Sequence, residues 1–151
     1  MLNLSSYFQK SNIEIVFGYK AVDKNYRSKF IGPDGKYTFY LPNTIPSCLD
    51  FKANGSCGNG LHFSYSVFEA RQYIAWNSSN RYLCCPLFKH EINVIDIMKV
   101  KAPRCAFPIW EVDRNGKPII RDSAGRINRK MKFQTVTQIL IEKCMDEYIP
   151  F

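Results

Sequence analysis

The sequence predicts an α+β domain built mainly of antiparallel strands with one confident helix. Short runs rich in β-branched and aromatic residues recur along the chain, separated by clusters of Gly, Pro, Asn and Asp. Only one segment joins a helix start signal to a helical apolar face. The 151 residues show no internal repeat or low-complexity linker, and 46% are apolar, which fits a single domain spanning 1–151 with a real core.

The elements follow in order. Ile13 to Lys20 (IEIVFGYK) reads as a first strand because it is dense in β-branched residues. Gly32-Pro33-Asp34-Gly35 is a turn before a second strand at Lys36 to Leu41. Pro42 to Gly60 is a long loop, the kind of segment that often carries function in a compact domain. Leu61 to Tyr65 is a short strand that enters the helix. Ser66 stands three residues before Glu69, the capping-box spacing in which hydroxyl and carboxylate each satisfy a free backbone N–H. Val67, Ala70, Tyr73 and Ile74 then share one helical face. Asn77-Ser78-Ser79-Asn80 breaks the pattern, and strands are expected at Tyr82 to Phe88, Glu91 to Val100 and Phe107 to Val112. Asn115-Gly116 marks a hairpin turn before a short strand at Lys117 to Arg121, and Ser123-Ala124-Gly125 is a second break. Lys132 to Lys143 fits strand or helix, with Thr135, Val136, Thr137, Ile139 and Ile141 favouring strand.

Composition excludes some classes. Aromatics reach 15%, too many for a disordered chain. No apolar run approaches the roughly 18 residues that cross a bilayer. Met1 to Asn12 lacks a basic start followed by an apolar block, so the expectation is a soluble, cytoplasmic protein without a membrane partner. Six cysteines contain no C-x-x-C pair, and neighbours Cys84 and Cys85 on a strand point to opposite faces. Buried reduced thiols are therefore expected; a zinc site from Cys57, His62, one of Cys84 and Cys85, and His90 is the less favoured alternative.

The net charge of +8 is uneven. Between Arg114 and Lys132 stand Arg114, Lys117, Arg121, Arg126, Arg129, Lys130 and Lys132 against a single acid, Asp122. Such a block is either a solvated loop or a surface for an acidic protein or nucleic acid. Around the helix start, His62, Ser64 and Ser66 alternate along the strand and its exit, beside the positive end of the helix, where anionic groups bind well. The arrangement fits a phosphate or nucleotide pocket, although a serine-capped junction with a structural histidine is the commoner meaning of such a pattern.

Two segments resemble the ADP-ribosyltransferase fold. Gly60-Leu61-His62-Phe63-Ser64, with the helix to Tyr73, is similar without a gap to the poly-ADP-ribose polymerase strand Gly-Ile-Tyr-Phe-Ala and its following Ser-Lys-Ser helix. In that family an aromatic at the place of His62 stacks on nicotinamide. Phe17-Gly18-Tyr19-Lys20-Ala21 resembles the strand whose His or Arg holds the NAD ribose or phosphate, with Lys20 in that place. The resemblance implies NAD as cofactor and Tyr19, Lys20, His62, Ser64, Ser66 and Tyr73 as its contacts. Active transferases carry a late-strand Glu that stabilises the oxocarbenium-like transition state. Here the corresponding stretch, Phe133 to Gln138, offers only Gln, with Glu142 four residues on. Gln138 and Glu142 are thus the catalytic candidates; a Gln can hold a ribose hydroxyl but supplies no negative charge. The chain also resembles a group of small phage and bacterial proteins with a Tyr-Lys strand, a central Gly-Leu/Phe-His motif and a basic closing strand like Lys130 to Phe133. That likeness brings no established activity.

Two functions compete. One is a small effector, phage-encoded if the second resemblance holds, that binds NAD or a related nucleotide and acts on a host macromolecule. The other is a non-enzymatic basic module that inhibits a host nucleic-acid machine or immune protein, or binds nucleic acid. Its surface would be the basic stretch with exposed aromatics such as Tyr82 or Trp110. Stacking on nucleic acid needs aromatics among the charges, and the stretch has none before Phe133.

Overall fold

A computed structural model describes residues 14–31, 37–48, 51 and 60–128. Every strand pairing in it is antiparallel. The longest ladder joins β1 (Ile15–Val22) to a strand far along the chain, Arg81–Phe88, over its whole length, from Ile15 opposite Phe88 to Val22 opposite Arg81. The elements between them are β2 (Arg27–Ile31) paired with β3 (Tyr37–Phe39), β4 (Leu61–Phe63) and the helix α1 (Val67–Ala70), which runs into a 3₁₀ turn at Arg71–Tyr73. Arg81–Phe88 is β5, followed by β6 (Asn93–Val94), β7 (Val100–Ala102) and β8 (Trp110–Val112). Two three-stranded sheets result, ordered β1-β5-β8 and β4-β7-β6. Tyr19 and Ser64 join them by exchanging both backbone hydrogen bonds, 2.7 and 3.0 Å.

Alternation along β5 divides the core. Leu83, Cys85 and Leu87 enter the larger cluster with Val22, Leu61, Phe63 and Val100. Tyr82 and Cys84 enter the smaller one with Ala21, Val112 and the helix residues Val67 and Ala70. Both faces of β5 are covered, which explains its unbroken apolar run. Pro86 is tolerated there because β8 reaches only as far as Cys84, so its missing N–H breaks no β8 bond, while its carbonyl accepts from Ala106 at 2.8 Å. Gly18 is required where the sheets meet: a Cβ there would lie 2.8 Å from that of Phe63.

Several expected elements differ. The helix is only four residues long with one further 3₁₀ turn, because Tyr73, Ile74 and Trp76 are poor helix formers and Ile74 is already extended. Ser66 caps it as expected, accepting from the Glu69 N–H at 3.1 Å, but the Glu69 carboxylate takes the Ser66 hydroxyl rather than a backbone N–H. Glu91 to Val100 is not one strand. The Asp96 carboxylate accepts from the Met98 N–H at 2.8 Å, and the turn it stabilises folds β6 back onto β7. Residues 107–109 are not β8, since Ile109 exchanges backbone bonds with Asn43 and Thr44 of the preceding loop. Lys117 to Arg121 makes only isolated bridges. The strand expected at Lys132 to Lys143 lies outside the described residues.

One turn recurs three times, at Asp23–Arg27, Asp113–Lys117 and Asp122–Arg126. In each, the aspartate Oδ1 accepts from the backbone N–H groups two and four residues on, at 2.8 to 3.0 Å. The fourth residue has positive φ: Tyr26 at 63°, Gly116 at 82° and Gly125 at 81°. The Asn115-Gly116 hairpin is therefore a three-residue loop closed by a left-handed glycine. Tyr26 holds a conformation usually left to glycine, at a cost of about 1–2 kcal/mol. Its hydroxyl offsets that cost, donating to Glu111 Oε1 at 2.6 Å and accepting from Arg81 at 2.6 Å.

Glu111 is 3% exposed and also takes Arg121 through Nε and Nη2, at 2.9 and 2.6 Å. Arg121→Ala should destabilise the protein by about 2 kcal/mol, between the values for exposed and buried pairs, because the guanidinium is partly solvated. Arg126→Ala, at an exposed position, should stay within about 0.5 kcal/mol. Urea unfolding of the two variants checks both; equal losses would show that the Glu111 pair has no special weight.

Candidate functional site

His62 stands at the centre of the unused polar chemistry. On β4 it alternates with Leu61 and Phe63, both core residues, so its imidazole leaves on the other face, where Lys101 of β7 is its partner in register. Lys101 is fully buried; its aliphatic stem runs so close to Gly60 that a Cβ there would lie 2.5 Å from it. Gly60, just before β4, thus leaves the space that Lys101 fills. The Lys101 ammonium lies 5.9 Å from the centroid of the Phe51 ring, and Lys99 lies 5.2 Å from that of Tyr73.

Lys20 approaches from β1. Its ammonium donates to the carbonyl oxygen of His62 at 3.1 Å and lies 5.1 Å from the Tyr40 ring centroid. Lys20 therefore holds the backbone of β4 through its ammonium. Burial lowers the Lys20 pKa to about 8. Burial, reinforced by the positive charges of Lys20, Lys99 and Lys101, lowers that of His62 to about 4. At neutral pH His62 is a neutral imidazole ringed by ammonium groups. Its Nε2 is buried and has no hydrogen-bond partner, an arrangement that costs about 1–3 kcal/mol when nothing fills it. Positive potential and an unused ring nitrogen together suit a phosphate or carboxylate ligand; the lysines disfavour a metal cation.

The other expected nucleotide contacts are placed differently. Tyr73 belongs to the cluster through Lys99. Tyr19 does not: its side chain lies on the opposite face of β1 from Lys20, and its hydroxyl meets the Cys84 thiol. Ser64 is buried at the strand junction, and Ser66 is occupied as the helix cap. A four-residue helix also has too few aligned peptides to act as an anion site. Gln138 and Glu142 lie outside the described residues. Lys99 and Lys101 were missing from the expectation because only the β4–β7 register brings that segment to His62; Tyr40 and Phe51 come from outside that ladder, against Lys20 and Lys101.

Of the basic stretch, Arg114 and Lys117 project from one aspartate-capped turn and Arg126 from the next, all exposed. Arg121 is instead bound to Glu111 and to the Gly125 carbonyl at 2.8 Å. Arg129, Lys130 and Lys132 lie outside the described residues. Tyr82 is buried and Trp110 half-buried, so neither is the exposed platform expected of it. Cys84 and Cys85 face different clusters, and among the described residues no three His, Cys, Asp or Glu side chains are grouped to hold a metal ion. No helix among them is long and apolar enough to cross a membrane.

Because the folded state holds His62 below its ordinary value of 6.5, its stabilising contribution is complete above about pH 6.5 and is lost as pH falls through about 4. The imidazole should titrate near 4 by NMR, and His62→Gln should flatten the fall in Tm between those limits. A midpoint above about 6 would show the ring to be solvated and outside the lysine field.

Compared with protein-family models, with curated proteins and with solved structures, the chain matches none.

Proposed function

We propose that the chain is a small effector of ADP-ribosyltransferase-like fold that binds NAD or a related phosphate-bearing nucleotide at the His62 cluster. The observation that carries this reading is the unpartnered, neutral His62 imidazole within the field of Lys20, Lys99 and Lys101. The antiparallel architecture and the direct junction of the Tyr19 and Ser64 strands support it. The lysines take the pyrophosphate, and Tyr73 offers a ring for nicotinamide or the base. Gln138 is the candidate for ribose hydrogen bonding and Glu142 the candidate carboxylate for the cationic sugar. Cleavage of the nicotinamide bond is accordingly slow: Gln138 orients but does not neutralise the developing charge.

A second reading is a basic binding module without chemistry, which acts on an acidic protein surface or nucleic acid through Arg114, Lys117 and Arg126. The exposure of these side chains on two rigid turns favours it.

NAD should raise the Tm and shift the His62 imidazole titration upward, since a bound pyrophosphate favours the protonated ring. Lys99→Gln should weaken binding by about tenfold or more, the effect of removing one charge-assisted contact. With labelled NAD and lysate, slow transfer should disappear in Glu142→Ala. Absence of any NAD-dependent shift at millimolar concentration would remove the nucleotide reading and leave the module.

A further inference from the structure

A second set of unused groups lines a groove of about 120 Å³ between the short helix and the start of β5. Phe68, Ile74 and Trp76 form its apolar wall. Phe68 and Trp76 are 70% and 76% exposed, and neither ring contacts another among the described residues. Large rings left open together on a groove wall mark a binding surface.

The polar rim is equally unspent. The Arg71 guanidinium meets no acceptor among the described residues, and the Tyr82 hydroxyl has no partner there although the residue is only 9% exposed. Gln72 and Asn80 donate their amides to the carbonyls of Phe68 and Ala75, at 3.1 and 3.0 Å. Their side-chain oxygens remain as acceptors. Among the described residues no carboxylate lines the groove.

We propose that this groove holds a base of a single-stranded nucleic acid, stacked on Trp76, with a neighbouring phosphate on Arg71. A base presents a flat π face to the rings, donors and acceptors to the rim, and a negative charge to the single cation. The register gives the strand its onward path. Tyr82 is paired with Val112, and Val112 leads directly into the turn that carries the exposed Arg114 and Lys117. Phosphates leaving the groove therefore meet cations at the same end of the sheet. The interleaving of rings and charges that base stacking needs is absent from the basic stretch itself and is supplied by residues 68–76. An acidic peptide fits less well, because its carboxylates would face the amide oxygens of Gln72 and Asn80. The inference rests on the binding-module reading for its wider basic surface and is independent of His62.

The test is titration of the full chain with an oligo(dT) of about 12 nucleotides and with an abasic oligomer of the same length. Oligo(dT) should quench tryptophan emission and bind about tenfold or more tightly than the abasic chain. Trp76→Ala should erase that difference, Trp76→Phe should keep most of it, and His62→Gln should change nothing. Arg71→Gln should weaken oligo(dT) binding and reduce its salt dependence. Equal, salt-sensitive binding of both oligomers, unchanged in Trp76→Ala, would overturn the groove while leaving the basic module standing. Poly-glutamate that quenches as strongly as oligo(dT) would assign the groove to acidic peptide and overturn the proposal. No binding to either oligomer at low salt would remove both the groove and nucleic acid as partner.

Discussion

A carboxylate in the interior, that of Glu111, ties together parts of the chain that the backbone ladders leave separate. It lies on β8, takes Arg121 from the segment ten residues on, and takes the Tyr26 hydroxyl from the turn after β1, which in turn receives Arg81 at the start of β5. A buried anion must be paired or it is expelled, so each of these residues has a fixed place once β8 is formed. The left-handed Tyr26 follows from the same demand, since its hydroxyl reaches the carboxylate from that backbone conformation. This end of the β1-β5-β8 sheet is thereby fixed, and the cationic turns start from a rigid base.

Around β4, close approach governs instead of charge pairing. Gly18 lets β1 meet β4, and Gly60 lets the Lys101 stem lie flat against the chain. The result is a concentration of positive charge around one neutral imidazole, an arrangement that costs stability in the free protein. Proteins retain such costs at sites where a ligand relieves them. The contrast is informative: the Glu111 carboxylate is met by Arg121 and the Tyr26 hydroxyl, and around His62 like charges are gathered.

Much of the architecture was legible because it is local. The β-branched run at Ile15 and the apolar block of β5 define strands wherever they lie, and Ser66 with Glu69 fixes the helix start within one turn. The turn at Asp23 escaped notice because its left-handed residue is Tyr26, not glycine, and with it β2 was missed. The Asp96 turn that splits β6 from β7 is signalled by a single aspartate within an apolar run. The site was legible in His62, Lys20 and Tyr73. His62 could be picked out beside the helix cap, but Lys99 and Lys101 join it through a strand register across some forty positions, which no spacing rule records. The groove likewise needs the pairing of Tyr82 with Val112 to bring the rings of one segment to the charges of another.

The adjacent thiols of β5 give the chain a built-in pair of reporters. Cys84 belongs to the smaller cluster, where burial pushes its pKa up to about 12; Cys85 belongs to the larger, where burial holds it well above the ordinary thiol range. Neither forms the reactive thiolate while its own cluster stays closed. Alkylation of one thus records the opening of the helix-covered side, and alkylation of the other the opening of the side beneath β4 and β7. Two neighbouring atoms of sulfur, one peptide bond apart, time the breathing of the two halves of the core independently.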